Sequence, residues 1–402
     1  MWYFVRRALS ERCIESFKMS ALFNQRAVRL LSVAGVLFGL AVIRSVVMRY
    51  PQPLPDWSED EKPIHLEPEV SLTIVDKDKM ALSEYPAEFI ESKKNPCWVS
   101  PRGTVDCLPY FYLAGMPKCG TTDIWVKLTK HPQISVSRKE PHWWAKIRVG
   151  TYNGKSTLGS SATAYYELWG NLMRKVTMKK GEEYASNTIF GDGSASTFWG
   201  NRHWTSFHPN LGRCPDFAIP SLIHSIQPEA KIIVAFRNPI DRLFSDYLYF
   251  SSGLTSSEEF HESVKAGIEE FQTCLETIGD LRTCVYKADK LPSGRAVRLR
   301  IGLYSVYLED WLKIFKPSQL RVIRTEDWSV KCPEILTDLH RFLELDELPP
   351  GETNDLCNEE RHNVGHSKTV ALLPETAQLL RDFYSPFNKR LATLLDDDNF
   401  IW

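Results

Sequence analysis

Gly115 and Gly120 bracket Lys118, and Thr121 and Thr122 follow at once, in the stretch AGMPKCGTTD. The glycine spacing is that of a phosphate-binding P-loop, G-x-x-x-x-G-K-[ST], with two changes. Thr121 occupies the lysine position, and the lysine has moved into the loop. An apolar run, YFYLAG, precedes the loop, and residues 121–130 have helical character. A strand, a glycine loop and a helix start in that order bring backbone N–H groups and the positive end of the helix to one point. Lys118 adds a full charge there, and the two threonines add hydroxyl donors. A plain strand-to-helix turn would account for Gly115 and Gly120 but not for Lys118 with two threonines.

The parts around this anion cradle narrow its use. A P-loop nucleotidase holds magnesium with its Ser/Thr and an acidic residue from a second strand. The clearest later strand, AKIIVAFR, ends instead in Arg237. IFGD at 189–192 can imitate the acidic strand, so a metal-dependent kinase stays open on this ground. A nucleotide whose terminal group carries less charge than a γ-phosphate, such as a sulfuryl ester, would need no metal, because Lys118 could neutralise the leaving phosphate directly. A phosphatase cysteine loop needs an arginine six positions after the cysteine; Trp125 stands there, which leaves Cys119 as a buried neighbour of the loop.

A second constellation follows Arg237 in FRNPIDRLFSDY. Asn238 caps a helix with Pro239 at its first position, and Ser245 lies about two turns in. An arginine fork and a hydroxyl so placed can grip a phosphate; equally, Arg237 can cap structure while Ser245 is a neutral helix residue. Arg242 and Asp246 are four apart and read as a surface pair. A third constellation is RKEPHWWAKIR, at 138–148, where Glu140 lies among Arg138, Lys139 and His142. Neighbouring cations would lower its pKa and keep it ionised. Trp143 and Trp144 can stack on sugar faces or belong to the core.

These residues need a frame. Strand patterns at 109–115, 187–193, 230–237 and 319–327 alternate with helical ones at 121–130, 239–250, 302–315, 334–343 and 374–395. The expected class is α/β, a P-loop-like three-layer domain with a largely parallel sheet covered on both faces. Leu303, Val306, Tyr307 and Trp311 predict one apolar face on the 302–315 helix. Residues 145–186 lack strong periodicity and read as an insertion.

The chain has 402 residues, 43% hydrophobic and 25% charged, with a net charge of −1. That supports a sizeable core and excludes a polybasic nucleic-acid binder, so any anion site must be local. Residues 30–43, LLSVAGVLFGLAVI, carry no charge, and Arg6, Arg7, Arg12, Lys18, Arg26 and Arg29 precede them. The charge bias predicts a single-pass anchor at 28–48 with a cytosolic tail at 1–27. A proline-punctuated stem then spans 49–105, and the lumenal domain spans 106–402. Cys97 with Cys107, and Cys274 with Cys284, each could close a short disulfide loop. No doubled C-x-x-C spacing marks a zinc site.

PKCGTT followed by R-x-P-x-x-R-x-x-S-x-Y after a strand resembles the sulfotransferases. KEPHWW, SASTFW, VRLRIGLYSVYLEDWL and LRDFYSPFNKRLA resemble the carbohydrate members that act on chondroitin sulfate, over about residues 95–402. The resemblance implies 3′-phosphoadenosine 5′-phosphosulfate as co-substrate, with no metal required. Lys118, Cys119, Gly120, Thr121 and Thr122 would hold its 5′-phosphosulfate; Arg237 and Ser245 would hold its 3′-phosphate. It also implies Glu140 as the base that takes the acceptor proton. Lys139, His142 and Trp143 are expected to contact a sulfated glycosaminoglycan, with transfer to C6 of N-acetylgalactosamine 4-sulfate. The implied setting is the Golgi membrane. Many relatives place a K-G-R-like loop against the donor; EERHNVGHSKTVALLP contains none, so Arg361 and Lys368 receive no role.

Overall fold

The computed structural model describes residues 88–136, 139–148, 151–152, 155–156, 162–200, 219–250, 256–287, 297–362 and 370–402. The expected tail, anchor and most of the stem lie outside these residues, as do Arg138 and Lys368. No helix among the described residues is long and apolar enough to cross a membrane.

The first described elements are strands β1 (Cys97–Val99) and β2 (Val105–Cys107), an antiparallel hairpin closed by the Cys97–Cys107 disulfide. This hairpin straddles the expected stem boundary yet is built into the body. Asn95, just before it, accepts from Phe190 N at 2.8 Å and donates to the Thr188 carbonyl at 2.5 Å. Next come β3 (Phe111–Gly115), buried throughout, helix α1 (Thr121–Leu128) and the short β4 (Ile134–Ser135).

Helix α2 (Ala162–Lys180) occupies the segment read as an insertion. Its buried face is Tyr165, Tyr166, Trp169, Gly170, Met173 and Val176, which does follow helical spacing. Tyr, Trp, Gly and Met carry most of that spacing, with Val176 the one branched aliphatic in it, which is why the pattern escaped a hydropathy reading. A Cβ on Gly170 would come within 2.1 Å of the Val105 carbonyl oxygen, so only glycine lets α2 lie directly on the hairpin.

After α2 the chain forms β5 (Ile189–Asp192), α3 (Ile219–Ile226), β6 (Lys231–Phe236), α4 (Pro239–Phe250) and the long α5 (Ser257–Ile278). It finishes with α6 (Tyr304–Leu312), β7 (Leu320–Arg324), α7 (Cys332–Phe342) and α8 (Pro374–Leu395). Among the described residues the main sheet is five-stranded and parallel, in the order β4-β5-β3-β6-β7. β3 and most of β6 are buried, which explains their near-continuous apolar sequences. The expected strands and helices of the α/β reading are present. The amphipathic reading of 302–315 needs correction, however. Leu303, Val306, Tyr307 and Trp311 are buried, but so are Tyr304, Ser305, Leu308 and Asp310. α6 is a core helix, and α8 packs against it.

The Cys274–Cys284 disulfide is present, and so is a third, Cys332–Cys357, which spacing did not suggest. Because every strand of the main sheet points the same way, the segments after β3, β5, β6 and β7 emerge at one edge. In open α/β sheets that edge is where ligands bind.

Candidate active site

The loop after β3 has the geometry an anion cradle requires. Gly120 sits at φ 72° as the N-cap of α1, a left-handed conformation that costs glycine nothing. Lys118 is also left-handed, at φ 67°. Thr325, just after β7, fixes the loop to the neighbouring strand: its hydroxyl lies 3.0 Å from the Cys119 carbonyl and 2.8 Å from the Phe236 carbonyl. Cys119 is fully buried, and its sulfur lies 3.8 Å from the Tyr304 hydroxyl. Burial pushes its thiol up to about 12, so it stays protonated and structural.

The two motifs meet here. Arg237, at the end of β6, donates to the Lys118 carbonyl at 3.5 Å, and Tyr304 donates to the Arg237 carbonyl at 3.0 Å. Asn238 caps α4 as expected, accepting from Ile240 N at 3.0 Å. Ser245 is half-buried two turns into α4. Burial lowers the Lys118 pKa, Asp246 opposes that shift, and Arg237 and Arg298 reinforce it. Those three groups therefore share its surroundings. Lys118 Nζ itself lies 3.8 Å from the centroid of the Tyr249 ring.

Arg242 and Asp246 are not a surface pair; their side chains are 0% and 3% exposed. Asp246 is the hub of a buried cluster. Arg298 donates to both its carboxylate oxygens, Arg242 Nη1 lies 3.7 Å away, and Arg242 Nη2 donates to the Arg298 carbonyl at 2.8 Å. Sequence reading missed Arg298, because no spacing links position 298 to the 237–249 motif.

Glu140 lies at the head of a second network. Lys139 Nζ donates to its carboxylate at 2.7 Å, and His142 Nε2 lies 3.4 Å from the other oxygen. Burial alone would raise its pKa, but the hydrogen bond from His142 and the charge of Lys139 outweigh it and hold the carboxyl at about 2. His142 is oriented from behind: its Nδ1 is 2.8 Å from the Ser196 hydroxyl, and its backbone N–H donates to Ser194 Oγ at 2.8 Å. Ser194 N donates in turn to the buried Asp192. The same segment reaches β3, where Phe198 N donates to the Ala114 carbonyl at 2.8 Å. The Glu140 network is thus joined through residues 194–198 to the strand that feeds the cradle.

Trp143 does not offer its face to a ligand. It is 2% exposed, stacked on Tyr165 at 4.8 Å and set edge-on to Trp144 at 4.8 Å. Trp144 is buried as well, so the WW pair belongs to the core. Arg361 donates to the Ser329 carbonyl at 2.6 Å.

The model of the sulfotransferase family matches residues 109–300, which contain both motifs and Glu140. Carbohydrate sulfotransferase 15 of Mus musculus is 34% identical over 378 residues, covering 80% of this chain and 67% of its own length. The chain belongs to the carbohydrate sulfotransferases. The Rattus norvegicus carbohydrate sulfotransferase 15 is 38% identical over 309 residues, which are 74% of this chain and 55% of that protein. This carbohydrate sulfotransferase therefore spans little more than half the length of the rat relative. Among solved structures, a sulfotransferase from Alicyclobacillus acidocaldarius has a TM-score of 0.46 and 20% identity, over 72% of this chain and 97% of that one.

Proposed function

We propose that the chain moves a sulfuryl group from 3′-phosphoadenosine 5′-phosphosulfate to a glycosaminoglycan hydroxyl, at C6 of N-acetylgalactosamine 4-sulfate in chondroitin or dermatan sulfate. The observation that carries this reading is the contact between Arg237 and Lys118. It joins a cradle for one phosphate to an arginine suited to another, as a nucleotide phosphorylated at both ends requires. The residues fit that donor: Gly120 opens backbone N–H groups at the start of α1, Lys118 supplies charge, Arg237 reaches the loop from the neighbouring strand, and Ser245 lies on the helix that follows Arg237.

The transfer is a direct displacement. The acceptor oxygen forms a bond to sulfur as the bond between sulfur and the bridging oxygen breaks. The electron pair stays on the 5′-phosphate, where Lys118 meets the charge. The acceptor proton goes to Glu140. A carboxylate of such low pKa is a weak base towards a free hydroxyl, but that proton becomes acidic as the O–S bond forms. Lys139 and His142 hold the carboxylate ionised and aimed. The relatives named carbohydrate sulfotransferase 15 support the acceptor class. The basic N-terminal tail and the apolar run at 30–43 support placement in the Golgi membrane with the catalytic part lumenal.

The test is to incubate the protein with labelled donor and chondroitin, dermatan or heparan chains, then analyse the disaccharides. Label at C6 of the 4-sulfated residue is expected; label confined to heparan would replace the acceptor, and no transfer to any chain would leave a binding protein. Activity in excess EDTA separates this reading from a metal-dependent kinase, which would stop. Lys118→Ala should lower kcat by about 10²-fold or more, the scale for losing one charge contact made in the transition state. A loss confined to donor affinity would contradict its role.

A further inference from the structure

Among the described residues, no carboxylate forms an ion pair with the Lys118 ammonium. It lies over the ring of Tyr249, 3.8 Å from the centroid, a range in which a cation is attracted to the negative face of an aromatic ring. Tyr249 is four residues after Ser245 on α4, so the hydroxyl and the ring share one face of that helix. The helix that carries the second motif therefore also reaches the lysine of the first. The ring is braced from outside: Phe250 sits edge-on to it at 4.8 Å, and Arg298 caps Phe250 at 4.3 Å while bound to Asp246. Tyr249 and Phe250 are each 60% exposed, so neither is there to fill the core.

We propose that Tyr249 is a positioning residue for Lys118, its ring holding the ammonium charged and aimed at the mouth of the cradle. This deepens the sulfuryl-transfer reading and rests on it for its catalytic consequence. Besides the ring, the groups around Lys118 are Asp246 on α4, Arg237 at the end of β6, and Arg298. Burial and the two arginines favour the neutral amine, whereas Asp246 favours the ammonium. A ring face is attracted only to the charged form. Without it, the Lys118 pKa should fall further, and the charge needed at the bridging oxygen should be lost at lower pH.

The experiment measures the Lys118 pKa directly, by trace acetylation with acetic anhydride across pH and mass spectrometry of the Lys118 peptide. Wild type, Tyr249→Phe and Tyr249→Leu are compared; both substitutions lie at an exposed position and should fold. Tyr249→Leu should lower the pKa by about 0.5 pH unit, the equivalent of an exposed cation–ring contact, and Tyr249→Phe should retain it. In the transfer assay, Tyr249→Leu should lower kcat roughly tenfold, leave the donor KM within about twofold, and move the alkaline limb of kcat by the same interval. Unchanged labelling in Tyr249→Leu would overturn the proposal, and so would a shifted pKa with unchanged kcat. If wild type transfers nothing, the sulfuryl-transfer reading fails instead, while the labelling arm still reports on the ring and the ammonium.

Discussion

At the scale of the residue, the proposed base is tied to two neighbouring side chains, Lys139 and His142. Glu140 is held at about pKa 2 against the opposing effect of burial, chiefly by the His142 hydrogen bond and the Lys139 charge. A carboxyl with a depressed folded pKa contributes stability that is fully present above its unfolded value and is lost as pH falls through the folded one. Glu140 should accordingly stay ionised throughout the range in which the protein is folded. The acid limb of kcat should therefore not show a group near 4.5. Glu140→Gln should lower kcat by about 10²-fold or more while donor KM changes little; a variant with full activity would remove Glu140 from the mechanism. Replacing Lys139 with Met should shift any acid limb towards higher pH, because its charge helps hold the carboxyl down; a pH profile checks this. That Glu140 lies among cations was legible, because Lys139 and His142 are its neighbours in sequence; the base role proposed for it comes from the resemblance to the sulfotransferases. The burial of Trp143 was not legible: a WW pair looks the same whether it faces sugar or core, and only the stack on Tyr165 decides it.

At the scale of the element, α4 does several jobs at once. Its one face carries Ser245 and Tyr249, while Arg242 and Asp246 are buried against the segment that brings Arg298. Removing one member of a buried charge cluster leaves the others uncompensated. Asp246→Ala should destabilise the protein by about 3 kcal/mol, visible in urea unfolding, because two arginines lose their shared carboxylate. Near-wild-type stability would show that water reaches the cluster. α7 holds a second titrating device. His340 is 5% exposed, and burial, followed by the charge of His131, lowers its pKa to about 4. The two rings meet edge to face at 4.7 Å. The folded state therefore binds this proton less readily than the unfolded state, whose histidine titrates near 6.5. Stability should be full above about pH 6.5 and fall as pH drops towards 4. Thermal melts across that window should show the slope, and His340→Phe should flatten it.

At the scale of the whole molecule, a net charge of −1 leaves no global attraction for a polyanionic acceptor. On the proposed function, binding would come from local cations, Lys139 among them. Exposed charges more than about 8–10 Å apart are screened at physiological salt. The acceptor KM should rise several-fold between about 0.05 and 0.3 M salt, and more steeply than the donor KM, because the cradle proposed for the donor is partly buried. Equal salt slopes for both substrates, measured in the same assay, would mean that acceptor recognition does not rest on these charges.

Local patterns pointed to the parallel α/β class, the glycine loop around Lys118 and the arginine and serine after β6, and they offered two of the disulfides as loops that could close. Each is written in neighbouring residues, as β-branched runs, glycine spacing or a capping Asn-Pro. Tertiary structure alone decided what those parts touch. The parallel sheet delivers Arg237 to the Lys118 carbonyl across 119 positions of chain, and helix packing brings Arg298 to Asp246 across 52. It also turned Arg242 and the tryptophan pair inward and revealed α2, whose small and aromatic contacts depend on the hairpin beneath it. The physical reason is that hydrophobic periodicity reports which face of an element avoids water, whereas ion pairs, ring stacks and ligand cradles depend on which other element arrives there.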